Sequence, residues 1–161
     1  MFERYTENAR RTLLVARNEA AEAGSPEIET LHLLLGIITA DRSLMGSLLG
    51  KPLVDLIQEQ VLLRNKKSSG TNARSAERPL SSECKRILKQ AEEQADSLSS
   101  ASIGNEHLLL AVLTEPRSMA GQILKKQGLG LGALRQKLGG EAAAPASSGL
   151  MGKLKRGLGL E

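Results

Sequence analysis

Few residues of this chain are of a type that carries chemistry. Two histidines, His32 and His107, one cysteine, Cys84, and some glycine-rich stretches are where catalysis or nucleotide binding would sit. The stretch GSLLGKP, Gly46–Pro52, approaches the Gly-x-x-x-x-Gly-Lys-Ser/Thr phosphate loop but is one residue short. It ends in Pro52, which has neither a hydroxyl for magnesium nor an N–H, and no strand precedes it. GLGLG, Gly128–Gly132, has no strand–helix context and reads as a helix stop with a tight turn. Two histidines without a neighbouring Cys or carboxylate set are too few for a structural zinc site. Each is expected at the mouth of a buried helix, bonded to a nearby backbone group. Cys84 has no second cysteine to pair with and reads as a small apolar residue on a helix. No serine stands in a nucleophile-elbow pattern. The reading assigns no catalytic residue, no metal ligand and no cofactor, and the chain does not read as an enzyme.

Binding chemistry is better represented. Glu106 lies at the start of a strongly apolar segment, where the helix dipole favours a carboxylate by about 0.3–1 kcal/mol. The same carboxylate is also placed to receive a guanidinium. Ser81 and Lys85 present a hydroxyl and, one turn on, an ammonium at a helix start, which suits an anion such as phosphate.

The elements that position these residues form an internal repeat. IETLHLLLGII, Ile28–Ile38, returns 75 positions later as IGNEHLLLAVL, Ile103–Leu113. Thr6–Thr39 aligns with Ser81–Thr114 without a gap, and the identities, such as Arg11/Arg86, Ala16/Ala91 and His32/His107, fall at helical spacing. Two extra residues in the second copy then bring Val54, Ile57 and Val61 opposite Leu131, Leu134 and Leu138. Each copy reads as four helices. Thr6, and Ser81 or Ser82, cap the first helix, which ends near Gly24 and in LSSAS respectively. Thr30 and Asn105 are expected to cap a second, buried helix. A third follows at Ser43–Leu49 and Ser118–Lys126, and a fourth at Val54–Arg64 and Leu131–Leu138. The expected fold is all-α, with two four-helix repeats packed as one domain.

Composition agrees. Phe2 and Tyr5 are the only aromatic residues, so aliphatic side chains build the core and single-stranded nucleic acid finds no stacking platform. The net charge of +4 is spread as −2 over 1–64, +3 over 65–79, +2 over 80–138 and +1 over 139–161. These are the expected bounds of the first repeat, an exposed linker, the second repeat and a flexible basic tail. Much of the positive excess lies in the linker, a weak nucleic-acid footprint; binding of nucleic acid or anionic membrane through the linker and tail cations is the alternative reading. The tail sequence LMGKLKRGLGLE carries leucines and cations, but its glycines make it a poor helix. No apolar run approaches the roughly 20 residues of a membrane span, no secretory signal opens the chain, and one cysteine suits a reducing compartment; the expected location is cytoplasmic.

The repeat resembles the Clp N-terminal repeat domain of AAA+ unfoldase chaperones, most closely the ClpC branch. The opening MFERYTENARRTLLVARNEAAEAG and the doubled Ile-x-x-x-His-Leu-Leu-Leu carry the resemblance over roughly residues 1–138. It implies eight helices and a docking role for adaptors, protein substrates and Clp unfoldase or protease subunits. In the ClpC branch it also implies recognition of phosphorylated arginine by a Gly-Thr-Glu-His motif. There the Glu engages the guanidinium, while helix-start hydroxyl and basic residues face the phosphate. The second copy, Gly104–His107, keeps the carboxylate as Glu106, with Ser81 and Lys85 at matching helix-start positions. The first copy, Glu29–His32, has Leu31 instead, so that pocket is expected to be lost although Thr6 persists.

Overall fold

The computed structural model describes residues 3–66, 78–115 and 117–142. Among them are eight helices: α1 Glu7–Glu22, α2 Thr30–Ala40, α3 Arg42–Leu49, α4 Lys51–Lys66, α5 Ser82–Ser97, α6 Asn105–Thr114, α7 Met119–Lys126 and α8 Leu131–Ala142. No strand occurs among the described residues, so the architecture is all-α, two pseudo-symmetric four-helix repeats.

Local chemistry sets most of the boundaries. Thr6 and Ser81 cap α1 and α5, their hydroxyls accepting the N–H of Ala9 at 3.1 Å and of Cys84 at 3.2 Å. Ser118 caps α7 by accepting the N–H of Gly121 at 2.7 Å. After α1 the chain turns through Gly24 at φ 72°, and its counterpart Ser99 adopts φ 58° without a glycine's freedom. α4 begins earlier than its apolar pattern indicates. Pro52 falls in its first turn, where a missing N–H costs no helical bond.

Thr30 and Asn105 correct the expected caps. Each is the first residue of its helix, after Glu29 and Gly104, and spends its side chain on the other repeat. The Thr30 hydroxyl accepts the N–H of Ala120 at 3.3 Å. Asn105 accepts from the Thr12 hydroxyl at 2.7 Å and donates to Asp41 at 3.1 Å.

The core is aliphatic. α2 buries Thr30–Ile38 and α6 buries Asn105 and His107–Leu113, so both are central. α1 lies close against α2 because it presents the small residues Ala9, Thr12, Ala16 and Ala20. Gly36 sits against Thr12 so tightly that an added Cβ would stand 2.4 Å from the Thr12 carbonyl oxygen.

Reciprocal backbone bonds join the repeats. The Thr6 N–H donates to the Ile103 carbonyl at 3.0 Å, and the Ile103 N–H to the Arg4 carbonyl at 2.8 Å. Seventy-five residues away, Ser81 donates to Ile28 at 3.0 Å and Ile28 to Pro79 at 2.9 Å. Each repeat's entry segment therefore pairs with the loop of the other. Arg4 reinforces one junction through Asp96 at 3.0 Å and the carbonyls of Ser100 and Ala101, both at 3.1 Å. Buried Arg78 donates to the Ser25 carbonyl at 2.9 Å at the other.

Both histidines are buried helix-start residues. Nδ1 of His32 accepts the Glu29 N–H and Nδ1 of His107 the Gly104 N–H, each at 2.9 Å. With Nδ1 an acceptor, the neutral ring carries its proton on Nε2, and His32 donates it to Asn65 at 2.7 Å. Burial holds both imidazoles below their ordinary value of 6.5; the Asn65 bond opposes this for His32, and Glu106 opposes it for His107.

Two outcomes are expected. Gly36→Ala destabilises the fold by about 1–3 kcal/mol in urea denaturation, because the methyl meets backbone rather than a movable side chain. Gly46→Ala, which meets nothing within 4 Å inside α3, stabilises by about 0.5–1 kcal/mol. The histidines confer a stability that is complete above pH 6.5 and declines as pH falls towards their lower folded values, at most about 1.4 kcal/mol per pH unit for each. Burial raises the carboxyls of Glu19 and Glu29, which act with the opposite sign nearer the carboxylate range, so urea midpoints from about pH 7.5 to 5.5 isolate the imidazoles. Replacing both histidines with Gln flattens that slope.

Candidate functional site

The exchange between repeats decides which site residues meet. Ile103 pairs with Tyr5 and Ile28 with Leu80. The start of α6 therefore stands beside the start of α1, and the start of α2 beside the start of α5.

Glu106, half-buried in the first turn of α6, folds back over Gly104. A Cβ on Gly104 would lie 2.4 Å from its Oε1, so a glycine there leaves room for the carboxylate. One residue before Gly104, the Ile103 carbonyl takes the Thr6 N–H. Thr6 thus joins Glu106 at one junction, where the N-terminal end of α1 contributes its positive dipole end.

Tyr5, Glu7, Arg10, Arg11 and Leu14 line a depression of about 570 Å³ along α1. Arg11 makes no ion pair or hydrogen bond among the described residues. Its counterpart Arg86 grips buried Glu115 with two bonds, at 3.2 and 3.1 Å. At the position of Glu115 the first copy has Ala40, which leaves Arg11 without that carboxylate.

Ser81 and Lys85 stand at the start of α5, whose backbone partner is the loop at Ile28, whereas Glu106 follows the loop at Ile103, whose backbone partner is Thr6. Their neighbour across the junction is Ile28, which leads into Leu31, and Leu31 is buried. By backbone pairing, Thr6 is the helix start at the Glu106 loop, and Ser81 is the helix start at the Ile28 loop. Alignment within a repeat places Ser81 with Glu106, but the entry segments are exchanged. Lys85 also helps line a cleft of about 560 Å³ with Arg4, Tyr5, Leu88, Glu92 and Ile103, the last of these in the loop that leads into Glu106. Sequence reasoning gave Arg11 no role beyond its identity with Arg86, read there as a mark of duplication.

The other chemical candidates are placed as follows. Burial pushes the Cys84 thiol up to about 12, so it is protonated at neutral pH. Among the described residues no cluster of three or more His, Cys, Asp and Glu stands in metal-binding reach. Gly46 lies inside α3 and Pro52 inside α4, a helical setting unlike a phosphate loop. No described helix is long and apolar enough to cross a membrane. The segment 67–77 and the tail beyond Ala142 lie outside the described residues; at the edges of the former, Asn65 and Arg78 are both buried.

Comparison with known proteins matches residues 4–141 to the Clp repeat (R) N-terminal domain. The chain is 31% identical over 128 residues, 80% of its length, to the chloroplastic chaperone protein ClpC of Pisum sativum. It is 31% identical over 153 residues, 92% of its length, to a ClpA homologue of Guillardia theta described as an ATP-dependent Clp protease ATP-binding subunit. It spans only 14% and 19% of those two proteins. The crystal structure of the N-terminal domain of ClpD from Arabidopsis thaliana superposes with a TM-score of 0.65 at 29% identity, covering 84% of this chain and 92% of that one. Duplicated helices, exchanged entry segments and the extent of these matches agree: the chain belongs to the Clp N-terminal repeat family.

Proposed function

We propose that this chain is a non-enzymatic docking module of the Clp chaperone and protease system, which presents adaptors or protein substrates to an ATP-driven unfoldase. We further propose that it holds one site for a phosphorylated arginine, at the junction of α1 and α6. The observation that carries this reading is the pairing of opposite charges there. Glu106 follows the loop whose Ile103 carbonyl takes the Thr6 N–H at the start of α1, and Arg11, one turn in, makes no ion pair among the described residues. A guanidinium needs the former, and a phosphate on the same side chain suits the helix start and the arginine. The second junction sets Ser81 and Lys85 beside Leu31, which offers no charge to a guanidinium.

Four variants and one phosphoarginine peptide test this by calorimetry. Glu106→Ala is expected to cost about 1.5–3 kcal/mol, roughly 10- to 150-fold in affinity, with helix content unchanged. Arg11→Ala weakens binding in the same direction, and Lys85→Ala leaves it unaltered. Leu31→Glu adds a second, weaker binding event. Equal affinity for wild type and Glu106→Ala rejects the phosphoarginine site. Binding to nucleic acid or anionic vesicles that collapses between low and moderate salt assigns the chain to polyanions instead.

A further inference from the structure

α4 differs from its counterpart α8 on the side turned away from the core. Leu56, Leu62 and Leu63 are 40, 39 and 59% exposed. In the second copy these positions hold Ala133, Gly139 and Gly140, so the repeat fold does not demand leucine there. Glu59 lies three residues after Leu56 and three and four before Leu62 and Leu63, so leucines flank it on three sides, with Asp55, already paired with Lys51 and Arg42, on the fourth. It makes no ion pair or hydrogen bond among the described residues, and Gln136 stands at its place in α8. Exposed leucines scattered singly need no explanation, whereas these three share one helix face with an unpaired carboxylate among them.

Its complement lies in the same chain. LMGKLKRGL, Leu150–Leu158, carries Leu150, Met151, Leu154 and Leu158 among Lys153, Lys155 and Arg156. The last described helix reaches the start of α4 through Lys137, five residues before that helix ends at Ala142. Lys137 of α8 donates to the Leu48 carbonyl at 2.7 Å, at the end of α3 and just before α4 begins at Lys51. Residues 143–149 can span up to about 24 Å. Leu56 and Leu63 stand about 8 and 18 Å along α4 from Lys51. A segment tethered this closely meets the surface at an effective concentration of order millimolar, which favours its own chain over a second copy.

We propose that Leu150–Leu158 docks on the Leu56–Glu59–Leu63 face of α4, its apolar side chains on the leucines and its cations around Glu59. The test uses the full chain carrying Leu63→Cys with Leu154→Cys; Cys84 is buried and protonated and stays out of the exchange. The control is Ala133→Cys with Leu154→Cys, on the exposed counterpart face of α8. Under mild oxidation the first pair is expected to close at least about tenfold faster than the control, as an internal disulfide in a monomer. Glu59→Lys, or about 0.5 M salt, should slow it several-fold. Equal rates at the two positions overturn the proposal. So does a disulfide-linked dimer as the main product, which assigns the face to a second copy. A rate unmoved by Glu59→Lys removes the charge from the docking. Equal rates together with capture of the chain by phosphatidylserine vesicles assign the segment to a membrane surface.

Discussion

Four backbone hydrogen bonds, two at Ile28 and two at Ile103, fix how the halves of this molecule meet. Both residues are buried, and no water stands ready to replace a missing partner for their N–H and C=O groups. A bond of this kind contributes about 0.5–1.5 kcal/mol net, yet leaving its groups buried and unmade costs more. The entry segments therefore cannot drift, and the helix starts at Thr6 and Ser81 are held against loops they do not adjoin in sequence. The Thr6 and Ser81 caps are local, and their position against the other repeat comes from this constraint.

The four helices of each copy were legible because periodicity and caps are local. Thr6, Ser81 and Ser118 carry hydroxyls that close helix starts, and the apolar runs after His32 and His107 left no polar face for solvent. Thr30 and Asn105 misled for a physical reason: a polar residue at a helix start can serve its own backbone or a distant partner, and only packing decides. Asn105 reaches Thr12, 93 residues away. The exchange of entry segments was equally unreadable, because Tyr5 and Ile103 give no local sign of each other. A duplicated alignment puts Ser81 beside Glu106, and the fold puts Thr6 there.

The two copies depart from symmetry at a few positions. Ala40 stands for Glu115 and Leu31 for Glu106, while Gly139 and Gly140 stand where α4 has leucines. Leu31 itself joins the core, yet the leucine triplets of α2 and α6 stay buried in both copies. The core sets what a copy must retain, and the rim is open to divergence.

The exchanged segments also bear on how such a molecule could arise. A single copy would own one entry segment and one receptive loop but could not join them to itself in this geometry. Two identical copies would satisfy each other, each lending its segment to its neighbour. The molecule has the form of a homodimer fused head to tail, and fusion would have freed each half to mutate apart from the other.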